Sequence, residues 1–153
     1  MTLMMRGKQA PVTLTKRETD CLLVVESLSQ DRWPARIGEV AHRLNVSTPS
    51  AVELVDRLQS KRMLERGPGG VRLSRIGNAG LLGVHRAHRL FENMFTRMGM
   101  RPEAACRESG IMDRHLSREA LKVVCRYLGH PKTCPHDLPI EPDPSCCTRS
   151  RAR

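Results

Sequence analysis

The fold is decided by residues 36–76, which read RIGEVAHRLNVSTPSAVELVDRLQSKRMLERGPGGVRLSRI. From Ile37 to Leu44 the apolar side chains recur at helical spacing, and Asn45-Val46 then interrupts the pattern. Ser47-Thr48-Pro49 opens a second helix, because a hydroxyl side chain caps a helix well and proline suits its first position. The pattern predicts two short helices joined by a tight turn, as in a DNA-binding helix-turn-helix.

A short hairpin follows the second helix. Leu64-Glu65-Arg66 and Val71-Arg72-Leu73 have the character of strands, and Gly67-Pro68-Gly69-Gly70 forms a turn between them. Helix, turn, helix and basic hairpin in this order predict a winged helix-turn-helix that binds double-stranded DNA; a helical hairpin that only fills a core is the alternative. The residues expected to face base edges are Thr48, Pro49, Ser50 and Glu53, and those expected near phosphates are Arg36, Ser47, Arg57, Lys61 and Arg72.

Composition narrows the class of protein. The chain has 153 residues, six cysteines and a formal net charge of +10 at pH 7, and this basic excess favours a polyanionic partner such as nucleic acid. Aromatic residues, at 3%, are too few for stacking on single strands. The sequence has no apolar segment typical of a signal peptide or a membrane span, and no Cys-x-x-Cys pair that would indicate a thiol enzyme. We therefore expect a cytoplasmic DNA-binding protein, not an enzyme, with reduced cysteines.

The pattern divides the chain into four segments. We expect residues 1–14 to form a disordered arm and residues 15–75 to form the winged helix-turn-helix. Residues 76–130 begin with a long helix whose apolar face is wider than a DNA-reading domain requires, which predicts a helical domain that forms a homodimer. Residues 131–153 are rich in proline and cysteine and end in a basic tail. The predicted fold class is mainly α.

With these elements in view, the chain resembles the diphtheria-toxin-repressor family, which contains iron-dependent repressors and manganese transport regulators. The resemblance covers about Thr15 to Ile140, and in length the chain is similar to the manganese transport regulators. It implies a dimeric transcriptional repressor whose DNA binding is controlled by Fe(II) or Mn(II), with metal sensing in residues 76–130. The segments that carry it are Glu18-Thr19-Asp20-Cys21-Leu22, Val46-Ser47-Thr48-Pro49-Ser50, His88-Arg89-Leu90-Phe91-Glu92, His115-Leu116-Ser117, Leu128-Gly129-His130-Pro131 and Cys134-Pro135-His136.

The resemblance also implies metal ligands. By position, Asp20 on the first helix and the pair His88 and Glu92 on the long helix match ligands of the family. Residues four apart share a helix face, so the pair could hold one ion, although the spacing alone fits a surface pair equally well. In the next helix Arg114 stands where the family has a ligand histidine, and arginine cannot bind a metal. The site is therefore either lost or rebuilt from Cys106, Glu108, Asp113 and His115.

A second group of metal-binding side chains lies near the carboxyl terminus and comprises Cys125, Cys134, His136, Cys146 and Cys147. Thiolates and imidazole favour Zn(II) or an iron–sulfur cluster, but the spacing matches no standard motif, and bystander thiols are the alternative. The vicinal cysteines would also permit a redox switch. Two other functions thus stay open: a redox, zinc or iron–sulfur winged-helix regulator with a degenerate family site, and a metal-storing or scaffolding protein.

Overall fold

The computed structural model describes residues 14–29 and 34–147. The predicted arm, apart from Leu14, and the basic tail lie outside these residues. Contacts divide the chain into two compact units, Met1–Gly77 and Asn78–Arg153. The elements in chain order are α1 (Lys16–Leu28), α2 (Ile37–Leu44), α3 (Thr48–Ser60), β1 (Leu64–Gly67), β2 (Gly70–Leu73), α4 (Arg75–Arg97), α5 (Pro102–Met112), α6 (Arg118–Tyr127) and α7 (Pro144–Cys147).

The first unit is built from helices with well-defined caps. The backbone N–H of Thr15 donates to Glu18 Oε2 at 2.8 Å while the Thr15 hydroxyl accepts from the Glu18 N–H at 3.2 Å, which forms the capping box of α1. Asn45 ends α2 in the left-handed conformation, with φ 52°, and so makes the tight turn into α3. Apolar side chains of the three helices and the hairpin form the core, among them Leu22, Val25, Val40, Ala51, Leu54, Val55, Leu58, Leu64 and Val71.

The hairpin pairs its two strands in antiparallel register, with Glu65 opposite Arg72. Ala35 forms an isolated antiparallel β-bridge with the hairpin, because its N–H and C=O exchange hydrogen bonds with Val71 at 2.8 and 2.9 Å. Gly70 is required here: a Cβ at this position, where φ is +154°, would lie 2.3 Å from the Ala35 carbonyl oxygen. The predicted winged helix-turn-helix is therefore confirmed as a fold.

The second unit is organised along α4. Leu90 of α4 is fully buried and packs with Cys125, Leu128 and Ile140, so helix α6 and the proline-rich segment share one core with α4. α5 begins at Pro102, which suits the first turn of a helix, and ends at Met112. The proline-rich segment forms a single helical turn, α7, because Pro144 occupies a first-turn position that tolerates proline.

The predicted fold class, mainly helical with a winged helix-turn-helix before a helical domain, is confirmed. Among the described residues, no helix is both long enough and apolar enough to cross a bilayer.

Candidate nucleic-acid interface and metal centres

The amino-terminal half of α3 presents a small polar surface. Ser47 caps the helix by accepting from the Ser50 N–H at 3.3 Å, and the two hydroxyl oxygens lie 2.9 Å apart. The predicted base-reading residues Thr48, Pro49, Ser50 and Glu53 are all exposed, as is Arg57. The opposite face of α3 is buried, so the helix offers these side chains outward, as a recognition helix does.

The wing carries its arginines in exposed ion pairs. Arg72 lies 3.1 Å from Glu65, its cross-strand partner, and Arg66 is paired with Asp56 of α3. Exposed pairs of this kind contribute little, about 0–1 kcal/mol, so phosphate oxygens can replace the carboxylates at low cost. Arg36 is exposed next to Ala35, which is hydrogen-bonded to the wing. These placements suit contacts with a DNA backbone.

Lys61 has a different environment. Its ammonium lies 2.8 Å from the carboxylate of Glu18, which is only 3% exposed. Burial alone would raise the pKa of the Glu18 carboxyl, but hydrogen bonds from Lys61 and from the Thr15 backbone hold it below its ordinary value. The charge of Lys61 therefore stabilises α1 against the end of α3, and its predicted contact with phosphate stays a prediction.

Glu92 is the centre of a cluster of metal-binding side chains in the second unit. Its carboxylate is 2% exposed, and Oε1 lies 3.7 Å from Nε2 of His88, one turn earlier on α4. On α5, the sulfur of Cys106 lies 3.5 Å from the same nitrogen of His88. The ligand atoms of these three residues all fall within 4.8 Å of one another, which is close enough for a single ion.

A tight turn brings two more ligands to Glu92. His136 Nδ1 lies 2.9 Å from Glu92 Oε1, and Cys134 completes a second group whose ligand atoms also lie within 4.8 Å of one another. The turn is closed by the Cys134 N–H, which donates to the Leu138 carbonyl at 2.9 Å. Asn93 of α4 donates to the Thr133 carbonyl at 3.0 Å and fixes the turn against the helix.

The cluster is electron-rich and disfavours further negative charge. Burial raises the pKa of the Cys106 thiol, and the neighbouring Glu92 and Cys134 raise it further. Burial also raises the pKa of Cys134, with Glu92 adding to the effect. A buried carboxylate beside two thiols is costly unless a cation compensates it. The two groups share Glu92, and each offers one carboxylate, one imidazole and one thiol, a donor set that a divalent metal ion fits.

Within the second unit, the structure places the other predicted ligands outside this group. Asp113 lies behind His88, with its carboxylate 3.3 Å from Nδ1, and so it can orient the ring while Nε2 binds a metal. Glu108 and His115 are exposed. Asp20 lies half-buried on α1 in the first unit, and its role as a ligand stays a prediction. Arg114 binds the carbonyl of Gly110 and lies 3.8 Å from Asp113.

The predicted carboxyl-terminal cluster is divided between two sites. Cys134 and His136 contact Glu92, whereas Cys125, Cys146 and Cys147 form a separate group with His130. His130 was not among the side chains that the sequence pattern assigned to this group, although the segment Leu128-Gly129-His130-Pro131 contains it. The sequence feature that could have identified it is a histidine directly after a glycine at the end of a predicted helix. In the structure, Gly129 and His130 both take the left-handed conformation there and reverse the chain after α6.

The sequence is similar to a known family and to named regulators. Residues 76–142 match the family described as iron-dependent repressor, metal binding and dimerisation domain. The transcriptional regulator MntR of Escherichia coli O6:H1 is 30% identical over 103 residues, which are 67% of this chain and 66% of that protein. The chain thus spans slightly less than two thirds of the length of this relative.

Solved structures are similar in fold. The hypothetical protein SSo2273 from Sulfolobus solfataricus superposes with a TM-score of 0.79 at 28% identity, over 84% of this chain and 99% of that one. A manganese-dependent transcriptional repressor in complex with manganese gives a TM-score of 0.66 at 25% identity, over 82% of this chain and 58% of that one. Both similarities extend across the winged helix-turn-helix and the helical unit that follows it.

Proposed function

Because this chain belongs to the diphtheria-toxin-repressor family of metal-dependent regulators, we propose that it is a homodimeric repressor of transcription whose affinity for double-stranded DNA is set by a divalent metal ion. Its relatives are named as transcriptional regulators and repressors, a class that binds DNA and catalyses no reaction. The comparisons do not favour the alternative of a redox or iron–sulfur regulator.

The observation that carries the proposal is the burial of Glu92 among four other metal-binding side chains. We assign the sensing ion to the two overlapping groups that share Glu92, which are His88, Glu92 and Cys106, and Glu92, Cys134 and His136. The carboxylate is 2% exposed and its contacts are two imidazoles, whose charge depends on protonation. A divalent cation removes the cost of burying that carboxylate and allows both thiols to ionise.

The donor set also bears on which metal binds. Carboxylate oxygen and imidazole nitrogen serve both Fe(II) and Mn(II), whereas thiolates suit iron and zinc better than manganese. Cys106 and Cys134 therefore favour Fe(II) over Mn(II) as the regulatory ion. Asp113 supports the site as an orienting carboxylate behind His88.

On the DNA side, α3 would enter the major groove and the wing would lie along the backbone. Thr48, Ser50 and Glu53 are exposed for base edges, and a glutamate there can accept from a cytosine amino group. Arg36, Arg57 and Arg72 would supply phosphate contacts. A dimer would place two such heads on two half-sites, which explains why a regulator of this kind needs a dimerisation domain.

The test is a DNA-binding titration with reduced, chelator-treated protein under anaerobic conditions. The probe is the DNA upstream of the protein's own coding sequence, with a scrambled duplex as the reference. Added Fe(II) should raise the affinity by at least about tenfold, which corresponds to a coupling free energy of about 1.4 kcal/mol. Mn(II) should act more weakly.

Two histidine variants make the assignment specific. His88→Ala should abolish the response to metal, whereas His115→Ala, which removes an exposed histidine outside the cluster, should leave it intact. Tight binding of the probe that ignores both metals would overturn the proposal of metal control. A response lost in His115→Ala and kept in His88→Ala would move the site away from Glu92.

A further inference from the structure

A second group of metal-binding side chains lies at the carboxyl-terminal end of the described chain, distinct from the cluster around Glu92. We propose that Cys125, His130, Cys146 and Cys147 bind one structural Zn(II) ion. Their ligand atoms lie within 4.8 Å of one another. Three thiolates and one imidazole make a complete tetrahedral shell for zinc, which leaves no open position for a substrate or a regulatory ligand.

Three distances between the ligand atoms are close to those in a zinc tetrahedron. With Zn–S bonds of about 2.3 Å and a Zn–N bond of about 2.0 Å, two sulfurs lie about 3.8 Å apart and a sulfur and a nitrogen about 3.5 Å apart. Cys125 Sγ is 3.8 Å from Cys147 Sγ and 3.4 Å from His130 Nδ1. Cys146 Sγ is 3.9 Å from the same nitrogen. The sulfurs of Cys125 and Cys147 are too far apart for a disulfide, whose S–S bond is about 2.05 Å.

Local backbone structure brings the four ligands together. Cys125 lies on the last turns of α6, and Gly129 and His130 then take left-handed conformations, with φ 75° and 56°, that fold the chain back. The His130 N–H donates to the Cys125 carbonyl at 2.9 Å, which holds the imidazole beside the thiol. The turn α7 presents Cys146 and Cys147 to the same point.

The surroundings compensate the charge of the ion and its ligands. Three thiolates and Zn(II) carry a net charge of −1, and Arg86 of α4 lies beside them, with Nη2 3.9 Å from Cys147 Sγ. Arg86 is 8% exposed and its Nε donates to the Glu141 carbonyl at 2.9 Å, so the guanidinium is held in place. A buried cation next to the sulfurs is what a site with excess thiolate needs.

The zinc ion would act as a staple for the proline-rich segment. The segment between His130 and Cys146 has no regular secondary structure before α7, yet it carries Cys134 and His136 to Glu92. One zinc ion would bind Cys125 and His130 before this loop and Cys146 and Cys147 after it. The ion would hold the two ends of the loop together, and so it would reduce the number of conformations that the loop can adopt. This consequence rests on the proposed function, whereas the presence of the zinc site does not.

The experiment measures zinc in the full-length, reduced protein after dialysis against a chelator. We expect one zinc ion per chain, with an X-ray absorption spectrum that fits three sulfurs at about 2.3 Å and one nitrogen at about 2.0 Å. Cys125→Ser and His130→Asn should lose the ion; asparagine tolerates the left-handed backbone at position 130, so the second variant is expected to keep its fold. Cys21→Ala, which removes a buried thiol in the first unit, is the matched control and should keep the ion.

His88→Ala separates the two sites, because it disrupts the cluster around Glu92 and should leave the zinc and its sulfur-rich spectrum unchanged. Zinc that disappears in His88→Ala but persists in Cys125→Ser and His130→Asn would overturn the inference. It would also be overturned by a protein that retains no zinc, by a Cys125–Cys147 disulfide in the protein as isolated, or by iron with acid-labile sulfide in place of zinc. None of these outcomes depends on whether metal controls DNA binding.

Discussion

Substituting Glu92 with glutamine should change two properties in opposite directions. The variant keeps the shape of a side chain that is 2% exposed but removes its negative charge. Metal affinity should fall, because a neutral amide oxygen is a much weaker metal ligand than the shared carboxylate. The ionisation of the nearby thiols should become easier, because the carboxylate that raises the pKa of Cys106 is gone.

The size of the change in thiolate ionisation and in metal affinity can be estimated from the geometry. The carboxylate and the Cys106 sulfur lie within 4.8 Å of each other, and at an effective dielectric constant of about 20 two unit charges at that separation repel by about 3.5 kcal/mol. If about 1.4 kcal/mol of this survives solvent screening, the thiolate fraction rises about tenfold. Loss of groups that only support a ligand costs about 10–100-fold in metal affinity, so loss of a ligand should cost at least about 100-fold.

Two assays read these effects on the same samples. Competitive titration of chelator-treated protein with Fe(II) gives the metal affinity, and the rate of reaction with an aromatic disulfide reagent reports the thiolates. Glu108→Gln, an exposed carboxylate on the same helix as Cys106, is the matched control and should change neither. If Glu92→Gln binds Fe(II) as tightly as the unaltered protein, Glu92 is not a ligand and the cluster is not the sensing site.

Three further outcomes are expected. Arg72→Ala should weaken binding to every DNA sequence and reduce the slope of log affinity against log salt by about 0.9, whereas Arg107→Ala in α5 should not; an unchanged slope removes the wing from the interface. Glu18→Gln should lower the free energy of unfolding at neutral pH by about 1–2 kcal/mol, because it removes the charged partner of Lys61. Since the folded pKa of Glu18 lies below its unfolded value, this difference should be full above about pH 5 and should shrink as the pH falls through the folded pKa; urea unfolding across pH that gives a constant difference would contradict it. Arg86→Met should speed the loss of zinc to a competing chelator by about 10–100-fold, and an unchanged rate would show that the guanidinium does not support the site.

Much of the fold could be predicted from local sequence. Helix α2, the turn at Asn45, the Ser47 cap and the start of α4 after Ser74 all depend on residues within one or two turns of each other. The hairpin was equally predictable, because its glycine-rich turn and short strands adjoin in sequence. The local sequence did not predict the partner of Lys61, because the buried Glu18 lies 43 residues away on another helix.

In the metal sites, too, local spacing predicted some features and packing between helices decided others. The pairing of His88 with Glu92 was predictable, because a spacing of four places two side chains on one helix face. The role of Asp113 was not predictable: in sequence it was one of four candidates to rebuild the family site, whereas in the structure it lies at hydrogen-bonding distance from Nδ1 of His88. Its function depends on how α5 packs on α4, which no local spacing encodes.

By itself the sequence determined the winged helix-turn-helix, the long helix with its candidate ligand pair, and the presence of a group of cysteine and histidine ligands near the carboxyl terminus. Only the tertiary structure decided which ligands belong together. In a segment interrupted by prolines there is no periodicity to relate Cys134 to Cys146, and the assignment is made by contacts across the fold. Asn93 holds the turn at Thr133 beside Glu92, and the reversal at His130 brings that imidazole to Cys125. The physical reason is that a metal site is a set of distances in space, and those distances are fixed by packing between elements far apart in the chain.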